Sequence, residues 1–145
     1  MAMITARIER IPYETHLSTS SQVIVADEPA DVGGQDRGMG PGELLAGSLA
    51  ACTVMTLRMY ADRKGWPLDS AVAHVEYTND LVSLRSLFVM KLILNGDLSN
   101  EQRNRLVEIA DRCPVHRTLQ NPIDLETILI DDLTKKREMP DIEIG

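Results

Sequence analysis

Cys52 and Cys113 are the residues of this chain best suited to covalent chemistry. A thiolate is a strong nucleophile, and two thiols can cycle between a dithiol and a disulfide. They lie far apart in the chain, so only the fold can bring them together. Cys113 precedes Pro114, and proline favours the first position of a helix. That places the Cys113 sulfur at the positive end of a short helix, where a thiolate is stabilised. His116 and Arg117 follow within one turn and add positive potential. The plainer reading of Cys113 is a cap residue on a polar surface turn. Cys52 sits within an apolar stretch, with Leu45, Leu49, Thr56 and Met59 on its helical face. Its plainer reading is a small buried hydrophobe, inert unless a cation or hydrogen-bond donor is near.

Other chemistries fit less well. Cys113 and His116 have a ligand-like C-x-x-H step, but a structural zinc site needs four ligands in paired spacings. Cys52, His16 and His74 are scattered, so no metal is expected. Gly33, Gly34, Gly38 and Gly40 form a glycine-rich loop without the lysine and hydroxyl residue of a phosphate loop, so no nucleotide cofactor is expected. The net charge is −7, which repels phosphate backbones and anionic lipid. The densest basic cluster, Lys135-Lys136-Arg137, lies among Asp131, Asp132 and Glu138, so nucleic acid is not an expected partner.

The elements that must position the cysteines follow from pattern. Residues 2–16 and Val23-Ile24-Val25 read as strands, with Pro12 marking an edge or bulge. A long helix is predicted from Pro41 to Gly65, with Glu43 at its positive end and Arg58, Arg63 and Lys64 at its negative end. It is uncharged all round from Leu44 to Leu57, as in a helix buried on most sides. That run is shorter than the roughly 20 residues a membrane span needs, so no membrane segment is expected. Residues 68–78 and 84–94 read as paired strands, the second with Leu84, Phe88, Met90, Leu92 and Leu94 on one face. Ser99 and Gln102 form a capping box that opens a second helix ending near Arg112. Ile123 to Ile130 reads as a last strand, and the tail 135–145 as a loosely held charged segment. This is an α+β order in one domain, residues 1–145. Hydrophobic residues make up 43% of the chain, enough for a core, but aromatics only 3%, so aliphatic residues must build it. So apolar a helix is hard to cover in so small a chain, which points to a homodimer that buries it between subunits. Two cysteines and no signal-like N-terminus point to a cytoplasmic protein.

Two blocks carry a family resemblance. The first runs from Gly40-Pro41-Gly42-Glu43 through Ala50-Ala51-Cys52-Thr53 to Tyr60-Ala61, and the second from Ala110-Asp111-Arg112-Cys113-Pro114 to Leu119. With Asp27-Glu28-Pro29 and Gly33-Gly34 as a lead-in, the chain from about residue 4 to 131 resembles the OsmC/Ohr family of thiol-dependent hydroperoxide reductases. The resemblance implies an OsmC-like fold, with antiparallel sheets around a long buried central helix, in an intertwined homodimer with two sites at the subunit interface. It implies that Cys52 attacks a hydroperoxide and becomes a sulfenic acid. Cys113 would then condense with it to a disulfide, which a dithiol reductant resets, with no cofactor. At the activating positions the pattern differs. The organic-hydroperoxide branch has a glutamate directly after the proline, where this chain has Gly42. The nearest acid is Glu43, on the opposite side of an ideal helix from Cys52. Arg10, Arg37 and Arg117 are the candidates for the arginine that branch uses to lower the thiol pKa. The alternative function is non-catalytic: a dimer of this fold that binds a small apolar or thiol-reactive ligand, or a redox sensor.

Overall fold

The computed structural model describes residues 1–130. The tail 135–145 and the end of the family-like region at residue 131 lie outside the described residues.

The N-terminal segment is an antiparallel meander of β1 (Thr5–Ile8), β2 (Thr15–Ser18) and β3 (Val23–Ala26). Thr5 faces Ser18 across the first pair and Thr15 faces Ala26 across the second. The single strand expected over 2–16 is thus two strands, broken around Pro12, whose missing N–H cannot serve a ladder.

Asp27 organises the glycine-rich loop that follows. Its buried carboxylate accepts backbone N–H groups from Tyr13, Glu28, Gln35 and Arg37. Burial alone would raise its pKa, but these N–H bonds outweigh it and hold the group below the ordinary aspartate value. Gly34 and Gly38 are required here by space: a Cβ on either would collide with the backbone carbonyl of Glu28 or Val25.

Helix α1 (Pro41–Lys64) has the predicted ends. Pro41 takes the first helical position, and the Glu43 carboxylate accepts the Gly40 N–H at 2.9 Å. Gly65 closes the helix in the left-handed region, φ 68°. By length and hydropathy α1 would suffice to cross a bilayer, but here it is a core helix that packs on β4, α2 and α3, described next.

Strands β4 (Ser70–Asp80) and β5 (Arg85–Asn95) form one hairpin, with Ser70 opposite Asn95 and Asp80 opposite Arg85. Phe88, Met90, Leu92 and Leu94 are half-buried on its inner face, as the alternation predicts, while Leu87, Val89 and Ile93 remain exposed; Leu84, expected on the inner face, lies in the turn before β5 and is exposed. Helix α2 (Asn100–Ala110) starts at the predicted capping box, with Ser99 Oγ accepting the Gln102 N–H at 3.1 Å and Gln102 Oε1 accepting the Ser99 N–H at 2.9 Å. Helix α3 (Pro114–Gln120) follows after a tight turn.

The core forms where the C-terminal half of α1 meets α2 and the hairpin. Leu57, Ala61, Leu68, Leu106, Ile109 and Ala110 are buried there, with Trp66 and Met90 packed against them. Along α1 only Leu49, Thr53, Leu57 and Ala61 are buried, one stripe at four-residue spacing. The other positions of α1 are half-buried or exposed in a single chain, and Met55 and Met59 are exposed. Residues 123–130 differ from expectation: they pair with no strand among the described residues. Ile123, Leu125, Ile128, Leu129 and Ile130 are all exposed there. A β-rich composition makes a strand only where a free sheet edge meets it, and among the described residues none does.

Candidate active site

Cys52 lies one residue from the buried stripe of α1, so its side chain emerges at the border of the core and is only partly covered. Cys113 arrives from the other direction. Helix α2 ends at Ala110, and the turn is tightened by Arg112 N–H to Ile109 O at 2.9 Å and Cys113 N–H to Ala110 O at 3.4 Å. Pro114 then opens α3 with Cys113 as its N-cap, in extended conformation. The thiol stands where a serine or aspartate more often does. Its sulfur accepts the His116 N–H at 3.3 Å and the Thr53 hydroxyl at 3.6 Å. Cys113 and Thr53 are both fully buried.

The structure brings the two cysteine side chains close enough for Cys113 to act on the ionisation of Cys52, and neither is in a disulfide. The Val115 N–H and the Thr56 hydroxyl lie near Cys52 and favour its thiolate. The first turn of α3 thus acts on both sulfurs: the His116 N–H bonds Cys113, and the Val115 N–H favours the Cys52 thiolate. Burial nevertheless pushes the Cys52 thiol above its ordinary value, and the neighbouring Cys113 sulfur adds to the rise. Val115 and Thr56 act the other way without reversing it.

The remaining sequence candidates lie elsewhere. Glu43 caps the start of α1, about 13 Å along the axis from Cys52 at the usual helical rise. Arg37 pairs with Glu14, at 3.6 Å, beside the Asp27 loop. Arg10 is exposed and lines an open hollow with Arg7, Glu14 and His16 on the N-terminal meander. Arg117 is exposed on α3, and its backbone N–H caps Cys113 O at 3.1 Å. None of these three guanidinium groups is among the groups that shift Cys52. The C-x-x-H step acts through the His116 backbone, while the His116 ring Nδ1 lies 3.9 Å from Asp111. Sequence reasoning did not single out Thr53. The signal was available: it is the one hydroxyl in the Leu49, Leu57, Ala61 stripe.

A hollow of about 370 Å³ opens between α1, β5, α2 and α3; neither cysteine lines it, but Leu49 and His116 do, each three residues from one of them. Leu49, Phe88, Met90, Val107 and Leu119 line it, with the His116 and Asp111 side chains among its polar groups. Such a lining accepts an apolar chain with a polar end.

Because the Cys52 thiol is raised, its reactivity in this conformation should be governed by a small thiolate fraction. The rate of iodoacetamide reaction at Cys52 is expected to climb roughly tenfold per pH unit between about pH 6 and 8. A flat profile over that range would mean that a cation not supplied by this chain already holds the thiolate.

The family model for OsmC-like protein matches residues 33–128. The match contains α1, the hairpin, α2 and α3, and so both cysteines. An OsmC-like protein from Mycoplasma pneumoniae has 21% identity and a TM-score of 0.71, over 81% of this chain and 86% of that one. A putative osmotic stress induced and detoxification response protein from Psychrobacter arcticus gives 21% and 0.70, over 81% and 88%. An organic hydroperoxide resistance protein of Bacillus subtilis gives 24% and 0.58, over 86% and 93%. None of the curated proteins matches the sequence. At these identities the solved structures speak to the fold, and the fold agrees with the family match. With its α+β architecture of antiparallel sheets around one long helix, this chain belongs to the family of OsmC-like proteins.

Proposed function

We propose that this protein reduces organic hydroperoxides through its two cysteines, as part of oxidative-stress defence. The observation that carries the proposal is the meeting of Cys52 and Cys113 as direct side-chain neighbours, although the chain between them spans a hairpin and a helix. The Cys52 thiolate attacks one oxygen of the O–O bond, the alkoxide leaves and takes up a proton, and Cys52 becomes a sulfenic acid. The Cys113 sulfur attacks that sulfur and expels water, which leaves a Cys52–Cys113 disulfide. A dithiol reductant restores both thiols by two exchanges. The apolar hollow lined by Leu49 and His116, each three residues from one of the cysteines, favours a hydroperoxide with a hydrocarbon tail over hydrogen peroxide.

The protein works in this proposal as a cytoplasmic homodimer. Met55 and Met59 on α1, Val23 and Ile24 on β3, and Leu87 and Ile93 on β5 are large apolar side chains left exposed in one chain. Burial of these surfaces between copies would also close the Cys52 environment. A cation from the second copy would then oppose the rise in the Cys52 pKa.

A second reading is favoured by one specific observation: the Cys52 thiol is raised, and among the described residues no guanidinium is one of the main groups acting on it. It is a non-catalytic dimer that holds a small apolar or thiol-reactive ligand at the same place, or a slow redox sensor. Dithiol-driven turnover separates the two. The proposal expects cumene hydroperoxide to be consumed at least about tenfold faster than hydrogen peroxide, since apolar burial of that size contributes a kcal/mol or more. Equal and negligible consumption of both would favour the non-catalytic reading.

A further inference from the structure

We propose that Thr53 is a positioning residue for the Cys113 sulfur, and that with it the site directs an incoming reductant thiol onto Cys52. The inference rests on the thiol-exchange reading above, not on the identity of the oxidant. Thr53 is fully buried among Leu49, Leu57 and Ala61. A hydroxyl there is costly unless it is hydrogen-bonded. Its Oγ1 donates to Cys113 Sγ at 3.6 Å, and the same sulfur accepts the His116 N–H at 3.3 Å. Two donors therefore hydrogen-bond the Cys113 sulfur, and among the described residues none hydrogen-bonds the Cys52 sulfur. The two cysteines also differ in access: Cys113 is fully buried and Cys52 is partly open.

These two asymmetries act in the same direction during reduction. A thiolate from solvent meets the Cys52 sulfur first. Its electron pair forms the new S–S bond to Cys52, and the Cys52–Cys113 bond breaks. Cys113 departs with the bonding pair as a thiolate, into the two waiting donors. A better stabilised thiolate leaves faster. The second thiol of the reductant then attacks its own sulfur in the mixed disulfide and releases Cys52 as a thiolate, which takes a proton from water. Attack at the other sulfur would require entry into a closed pocket and would expel a thiolate at Cys52, beside the same Cys113 sulfur. Thr53 thus does more than fill the core: its O–H sets which sulfur leaves.

Diamide, a two-electron thiol oxidant, forms the disulfide without any hydroperoxide, and glutathione serves as a monothiol probe. After acid quench, peptide mass mapping of the full chain locates the adduct. The expected result is glutathione on Cys52 and a free thiol at Cys113. Thr53→Val keeps the shape and removes the donor, and should slow disulfide opening about three- to tenfold. Thr53→Ser should open within about twofold of the unchanged protein, because the hydroxyl returns. A purely structural role would lower thermal stability in Thr53→Val and leave the opening rate alone. Should that variant fail to fold, Thr53→Ala and the adduct position decide. Opening at the original rate without the hydroxyl overturns the inference. So does glutathione shared equally between the cysteines, or failure of diamide to join them within one chain. If opening behaves as expected but no hydroperoxide oxidises Cys52, the peroxidase reading fails and this one stands.

Discussion

Cys52→Ser is expected to end hydroperoxide consumption, with a fall of at least about a hundredfold in the dithiol-driven rate. The reason is chemical before it is structural. The step needs a polarisable sulfur that can accept an oxygen atom and then surrender it to a second thiol. A serine hydroxyl is far less ionised at neutral pH and forms no sulfenic acid. Cys113 cannot take over the role, because it is fully buried and already holds two hydrogen bonds. The substitution should leave the fold intact, since position 52 borders the core rather than filling it. Residual consumption near the original rate would remove Cys52 from the chemistry.

Cys113→Ser should give the opposite kinetic signature: about one hydroperoxide reduced per chain, then arrest. The first step does not use Cys113, so Cys52 is still oxidised. Without a second thiol the sulfenic acid persists, and a sulfenic-acid trap such as dimedone should label it. Further peroxide would drive it to the sulfinic acid. This variant suits the test, because serine is a favoured N-cap and can still accept the His116 N–H. A loss of folding is therefore a poor explanation for the arrest. Sustained turnover in Cys113→Ser would show that the reductant resolves the sulfenic acid directly.

Much of the fold was legible in the sequence because local chemistry decides it. Pro41 and Gly65 mark the ends of α1, and Ser99 with Gln102 marks the start of α2. The alternation along β5 predicts which of its side chains face inward. Pro114 after Cys113 predicts a helix cap, and the cap is there. What depends on distant partners was not legible. Residues 123–130 have a strand's composition and no strand beside them. Arg37 resembled an activating cation by type, yet it pairs with Glu14, which only the placement of the meander decides. Glu43 is an acid near the cysteine in sequence, but its carboxylate is used by the Gly40 N–H. The groups that act on the two sulfurs include Thr53, Thr56 and two backbone N–H groups of α3. Backbone donors have no sequence signature, and a buried threonine in an apolar stripe becomes informative only once the facing sulfur is known.

The electrostatics of Cys52 tie the site to assembly. In one chain, burial and the adjacent sulfur favour the protonated thiol. The proposed chemistry needs the thiolate. The exposed apolar faces of α1, β3 and β5 offer the means, since a second copy seated there would bring its own charged loops toward the cysteine pair. The alkylation profile of Cys52 against pH is thus also a readout of what the second copy contributes.

The central claim is that Cys52 and Cys113 stand within bonding reach inside one chain. It is tested by treating the reduced protein with one equivalent of cumene hydroperoxide, blocking free thiols, and mapping peptides without reduction. The account predicts a cross-linked peptide joining Cys52 to Cys113 of the same chain, with one alcohol formed per disulfide. Two blocked, unlinked cysteines, or a bond found only between copies, would contradict it.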